Sequence, residues 1–268
     1  MKKLQLILAL SFPLAFCACS NNDEFENLPE KFTRAQYSEE ITSSSCFDLP
    51  IPTDRYKYPV LPGCPEWLEL HNMGMDAVMK SLEIPDNVLS DMSSESLLLT
   101  YLDYPYSGDY IFSSSTVYKG FLACLGCEND SKIFKQMKKR SSMSDTLLKY
   151  YKSFNANPNY ETNWKVWTLL NLFCSLDEFL DDLSSKQKKE LVRLGFEKMD
   201  LVNEKMGECS TSEILFMMAR VMWSDDYSPF VKKVKSDKRM RDFLETEFDD
   251  ISLYQYNVIP FAKEYSGL

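Results

Sequence analysis

From Pro65 onward, apolar side chains recur three and four residues apart, and a strand-like alternation of apolar and polar positions is hard to find. A 3.6-residue period marks a helix with one face toward a core, whereas a half-buried strand needs a period of two. Trp164, Trp167, Leu169, Leu172, Phe173, Leu176, Phe179, Leu180 and Leu183 make one wide stripe. Leu191, Leu194, Phe196, Met199, Val202 and Met206 make the next, with Ser184 and Gln187 spaced as a capping box between them. This spacing predicts two long helices with almost no loop, packed antiparallel, with at least one of Trp164 and Trp167 in their core. Other starts are marked by Ser93-Ser94-Glu95 before Leu97, Leu98, Tyr101 and Leu102, and by Ser210-Thr211-Ser212-Glu213 before Ile214, Phe216, Met217 and Val221.

The expected fold is therefore all-α: stacked antiparallel helix pairs, solenoid-like or an irregular bundle. One internal echo points to repeated pairs. Ser93–Tyr110 aligns with Ser210–Tyr227, each a capped apolar helix ending in an aromatic, a serine and an Asp-Tyr pair. Solenoids usually repeat every 20 to 50 residues, roughly, so a single echo 117 residues away argues only weakly for one. Glycine is scarce, at eight residues, which agrees with helices.

The N-terminus departs from this pattern. Lys2 and Lys3 precede thirteen apolar-rich residues, Leu4 to Phe16, and then Cys17-Ala18-Cys19. A helix needs about 20 residues to cross a membrane, so the run is too short to span one. It resembles a bacterial lipoprotein signal, in which a small residue precedes the lipidated cysteine. Ala18 fits that position and Phe16 does not, so the resemblance implies lipidation at Cys19, removal of residues 1–18, and anchoring of the protein to a membrane by its acyl chains. The following Ser20-Asn21-Asn22-Asp23-Glu24-Phe25-Glu26 looks like the acidic tether of surface lipoproteins in Bacteroidota, which implies the outer membrane and exposure at the cell surface. Residues 19–58 read as a polar, then proline-punctuated tether ending in an extended segment along the body, and residues 59–268 as one helical domain.

Loss of Lys2 and Lys3 from 30 basic residues leaves 28 against 40 acidic ones, a mature charge of −12. Such a surface repels phosphate backbones, which argues against nucleic-acid partners. The basic run Lys135 to Arg140 is the local exception, and Ile133, Phe134 and Met137 beside it make it a solvated helix face.

Candidate chemistry is sparse. Cys124-Leu125-Gly126-Cys127 could be a redox dithiol, half of a zinc site, a disulfide or a pair of inert thiols, but the surround that redox or zinc chemistry wants is missing. His71 is the single histidine, in a helix without a nucleophile motif, and reads as structural. Asp181-Asp182, Asp225-Asp226 and Asp249-Asp250 could in principle serve a carboxylate-dependent hydrolase, yet adjacent acids diverge on a helix and suit caps. Tyr101, Tyr104, Tyr106, Tyr110 and Tyr118 surround Pro105, Ser107 and Gly108; Tyr104, Tyr106 and Tyr110 are the best ligand-binding candidates, presented on an exposed turn. Plugging the ends of a helix pair is their alternative use. Asp145-Thr146-Leu147 resembles the O-glycosylation acceptor of exported Bacteroidota proteins.

Tyr58-Pro59-Val60-Leu61-Pro62-Gly63, Glu66-Trp67, Ile84-Pro85, Met92-Ser93-Ser94-Glu95, Tyr104-Pro105, Gly120-Phe121, Lys139-Arg140 and Leu147-Leu148-Lys149-Tyr150 together resemble a group of exported Bacteroidota proteins of unassigned function. The resemblance implies export and a helical fold, and carries over no catalytic residue. No motif calls for a cofactor or metal. The expected function is a lipid-anchored envelope module that binds a peptide, protein or glycan; a carboxylate-dependent hydrolase and a structural envelope component are the alternatives.

Overall fold

A computed structural model describes residues 42–109, 114, 116–156, 160–206, 211–246 and 256–268. Cys19, Tyr110, Cys209 and Asp249-Asp250 lie outside these. Among the described residues the chain is all-α, with fourteen α-helices, one 3₁₀ turn at Ser43–Cys46 and no strand.

The helices are α1 (Pro65–Met73), α2 (Met75–Ser81), α3 (Asp86–Asp91), α4 (Ser94–Leu102), α5 (Val117–Leu125), α6 (Glu128–Lys138) and α7 (Met143–Ser153). They continue with α8 (Tyr160–Phe173), α9 (Asp177–Leu180), α10 (Ser185–Met206), α11 (Thr211–Ser224), α12 (Ser228–Ser236), α13 (Lys238–Thr246) and α14 (Ile259–Ser266). Lengths run from 4 to 22 residues around one continuous core, which fits an irregular bundle better than a stack of equal pairs. The echo fails in space as well: α4 stops after nine residues while α11 runs for fourteen.

The middle of the bundle is α8. Every residue from Val166 to Leu176 is buried, as befits a helix apolar around its whole circumference. Trp167 is fully buried, stacked near Tyr151 and Phe154, while Trp164 is half-buried. The polar groups drawn inside largely satisfy one another: Tyr151 Oη donates to Asn171 Oδ1 at 2.9 Å, Asn171 Nδ2 to the Trp167 carbonyl, and Ser175 Oγ to the Asn171 carbonyl.

The stripe from Trp164 to Leu183 is not one helix. It breaks at Cys174–Leu176, and Arg220 of α11 fills the break. Its Nε donates to the Ser175 carbonyl at 3.0 Å and its Nη2 to Asp177 Oδ1 at 2.7 Å, so a side chain distant in sequence satisfies what the interrupted helix leaves open. The Ser184–Gln187 capping box does form, with Ser184 N–H donating to Gln187 Oε1 and Gln187 N–H to Ser184 Oγ. The closest antiparallel neighbour of α10 is α11. Lys188 meets the Ser224 carbonyl, Gly195 faces Met217 and Met218, and Asn203 meets Thr211, so sequence order reverses along the pair.

The body begins before residue 59. Cys46, Phe47 and Tyr58 belong to the core, and Phe47 makes a backbone bridge to Phe154. Residues 42–58 therefore form a strap built into the fold, so the segment laid along the body begins by residue 42 and the folded body is not confined to 59–268. Arg55 Nη1 and Ser43 N–H both donate to Asp103 just after α4, in an ion pair whose side chains are only 10% and 14% exposed. At the other end of α4, Ser93 caps Ser96 N–H, and Asp54 accepts from Ser93 N–H, Ser93 Oγ and Ser96 Oγ. Burial works against the Asp54 charge, but these hydrogen bonds win and hold its carboxyl below the usual range.

Candidate functional site

The tyrosine-rich stretch divides between interior and surface. Tyr104 is fully buried, as is Tyr101, and Tyr118 is buried beside Phe216. The exposed-turn expectation thus fails for Tyr104, because the chain turns inward after α4 and seats this ring against Tyr58. Tyr106 alone of the described candidates reaches the surface, half-buried.

There it joins α1. The Trp67 ring lies 5.7 Å from Tyr106 and 4.8 Å from His71, centroid to centroid. His71 Nδ1 is 2.8 Å from the Trp67 carbonyl, which can only accept. In the neutral ring the proton therefore sits on Nδ1, and Nε2 accepts from Tyr106 Oη at 3.2 Å. Pro65 opens α1 at its first turn, where a missing N–H costs nothing, and Gly74 at φ 106° makes the corner into α2. No residue of α1 is buried. Leu68 and Met73 of α1 and Met75 beside Tyr106 are three of the seven large apolar side chains exposed among the described residues. His71 is thus a surface residue that fixes two rings.

Behind this platform lies a polar cluster that the sequence did not mark. Ring contacts lead inward from Trp67 through Tyr106 and Tyr104 to Tyr58. Asp130, third residue of α6, is 4% exposed. Its Oδ1 and the hydroxyls of Tyr101 and Tyr104 are buried with no hydrogen-bond partner of normal geometry. Burial pushes the Asp130 carboxyl up to about 7, with a nearby Tyr101 hydroxyl working against that and Asp109 adding to it. Burial also raises the Asp109 carboxyl and the Tyr101 and Tyr104 phenols. Nothing in the sequence around Asp130 sets it apart; the packing of α4 against α6 makes it unusual.

The other sequence candidates are scattered. Cys124 is buried at the end of α5, whereas Cys127 is exposed at the start of α6 with its thiol directed to the Ala123 carbonyl. No disulfide joins them, because the helix corner at Gly126 turns one inward and the other out. Asp225 accepts from Ser185 and Tyr265, and so ties α14 to the bundle. Asp182 meets Ser144. No three His, Cys, Asp or Glu side chains among the described residues gather as a metal site. No described helix is long and apolar enough to cross a membrane.

Comparison with protein-family models, curated proteins and solved structures finds no match to this chain.

Proposed function

We propose that the protein is a lipid-anchored envelope module that binds a protein or peptide through the Trp67–His71–Tyr106 platform. The observation that carries the reading is this ring cluster on a helix with no buried residue, with Met75 beside Tyr106 and with Leu68 and Met73 exposed on the same helix. Aromatic rings give contact area at low entropic cost, and methionines adapt to varied apolar surfaces. Glu69 and Asp76 on the same two helices favour a partner segment that is basic as well as apolar. To test it, a photo-crosslinking residue placed at Met73 should capture a partner in the native envelope. The purified partner should then bind a Trp67→Ala, Met75→Ala double variant at least about tenfold more weakly than wild type. Equal binding, or selective binding of an oligosaccharide panel in place of protein, would overturn the peptide reading.

The anchor rests on the Ala18-Cys19 junction after a short apolar run. Cys19→Ala should release the protein into soluble fractions and Cys17→Ala should not. Fatty-acid label that persists in Cys19→Ala would remove Cys19 from the proposal.

A further inference from the structure

Three lysines and Asp86 line an open trough of about 420 Å³ between α3 and α6. Lys132 and Lys135 of α6 and Lys139, the residue that ends it, line this trough at positions i, i+3 and i+7. Lys132 is already neutralised, 2.5 Å from Glu83 and 3.8 Å from Glu128, and Asp86 on the α3 side also faces it. Lys135 and Lys139 are exposed, stand one turn apart with like charge, and make no ion pair among the described residues. Asn87 and Ser90 line the same trough from α3, and Gln136 lies between the two lysines in sequence. The Leu89 and Ser90 carbonyls ending α3 would repel an anion, but Arg140 covers both.

A second trough, of about 360 Å³ beside α7, uses its lysines differently. There Lys149 pairs with Glu95 and Lys152 with Glu190, each at 3.2 Å. The α3–α6 trough leaves Lys135 and Lys139 without such a partner among the described residues, its one lining carboxylate, Asp86, standing toward Lys132. We propose that this trough binds a compact anionic group, a phosphate or sulfate, clamped by Lys135 and Lys139, with Asn87 and Gln136 available to hydrogen-bond what carries it. The proposal is independent of the platform around Trp67.

The test is an NMR titration of the full chain at low ionic strength with inorganic phosphate, sulfate and glucose 6-phosphate. Amide shifts should concentrate on α3 and α6, and the affinity should fall as salt is added. Lys135→Gln with Lys139→Gln should weaken binding at least about tenfold, while Lys186→Gln with Lys189→Gln on α10 should leave it unchanged. Glucose 6-phosphate binding several-fold tighter than phosphate identifies an anion borne on a polyol; equal affinities identify the free anion. Both outcomes support the site. Shifts spread over the surface, no shifts at millimolar probe, or wild-type affinity in the Lys135/Lys139 variant would overturn it.

Discussion

Asp130 binds its proton more tightly folded than unfolded, and that difference has a sign. Below about pH 4 both states are protonated and burial of the neutral acid costs little. Between about pH 4 and 7 the unfolded state ionises while the folded state, held up to about 7, does not, so stability falls across that window and levels off above it. Asp130→Asn removes the titration. In denaturant melts the variant should gain on wild type from pH 5 to pH 8, by a few kcal/mol at most. An unchanged difference at the two pH values would show that Asp130 is not held neutral. The neighbouring rings give a second residue-scale test. Tyr104→Ala should cost roughly 3–5 kcal/mol as a core deletion. Tyr104→Phe should be neutral or stabilising, because it removes a buried hydroxyl that has no partner of normal geometry. Tyr106→Ala, at the surface, should change stability by about 1 kcal/mol or less. A tyrosine in sequence carries no mark of which way its ring turns; Tyr104 and Tyr106 share one turn and part company only because Tyr58 covers the first.

At the scale of elements, sequence reading succeeded where a signal is local. Ser93 caps α4 and Ser184 with Gln187 caps α10, each through atoms three residues apart. It failed where a distant side chain decides. The stripe through Trp164 and Leu183 keeps its period across Cys174–Leu176, and nothing nearby announces the break that Arg220 completes from α11. Arg220 also reaches the Leu244 carbonyl and lies 5.9 Å from the centre of the Tyr118 ring, joining α5, α9, α11, α13 and the break that follows α8. Removing it leaves buried carbonyls without a donor, so Arg220→Met should cost about 2–3 kcal/mol. Arg220→Lys should recover little of that, since an ammonium cannot serve the same fork of acceptors. Thermal melts of the two variants would check this, and full rescue by lysine would reduce Arg220 to a simple charge.

For the whole molecule, the all-α class was legible because helical period and caps are written continuously along the chain. The N-terminal boundary was not, because prolines and polar residues look alike in a tether and in a strap held by backbone and ion-pair contacts. The Arg55–Asp103 pair is the main clasp, and Asp103→Ala should cost roughly 3 kcal/mol by stranding a mostly buried guanidinium. The strap also has a consequence in time. A chain built from its N-terminus makes Cys46 long before Asn163, which receives its thiol 117 residues later. At a synthesis rate of roughly 5–20 residues per second that gap lasts about 6 to 23 s. Once docked, the Cys46 thiol is buried and pushed up to about 12, chiefly by burial and then by Asp103, and is inert. Until then it is open to water. In a variant keeping Cys46 alone, ribosome-arrested chains that stop short of Asn163 should therefore take up maleimide, and completed chains should refuse it.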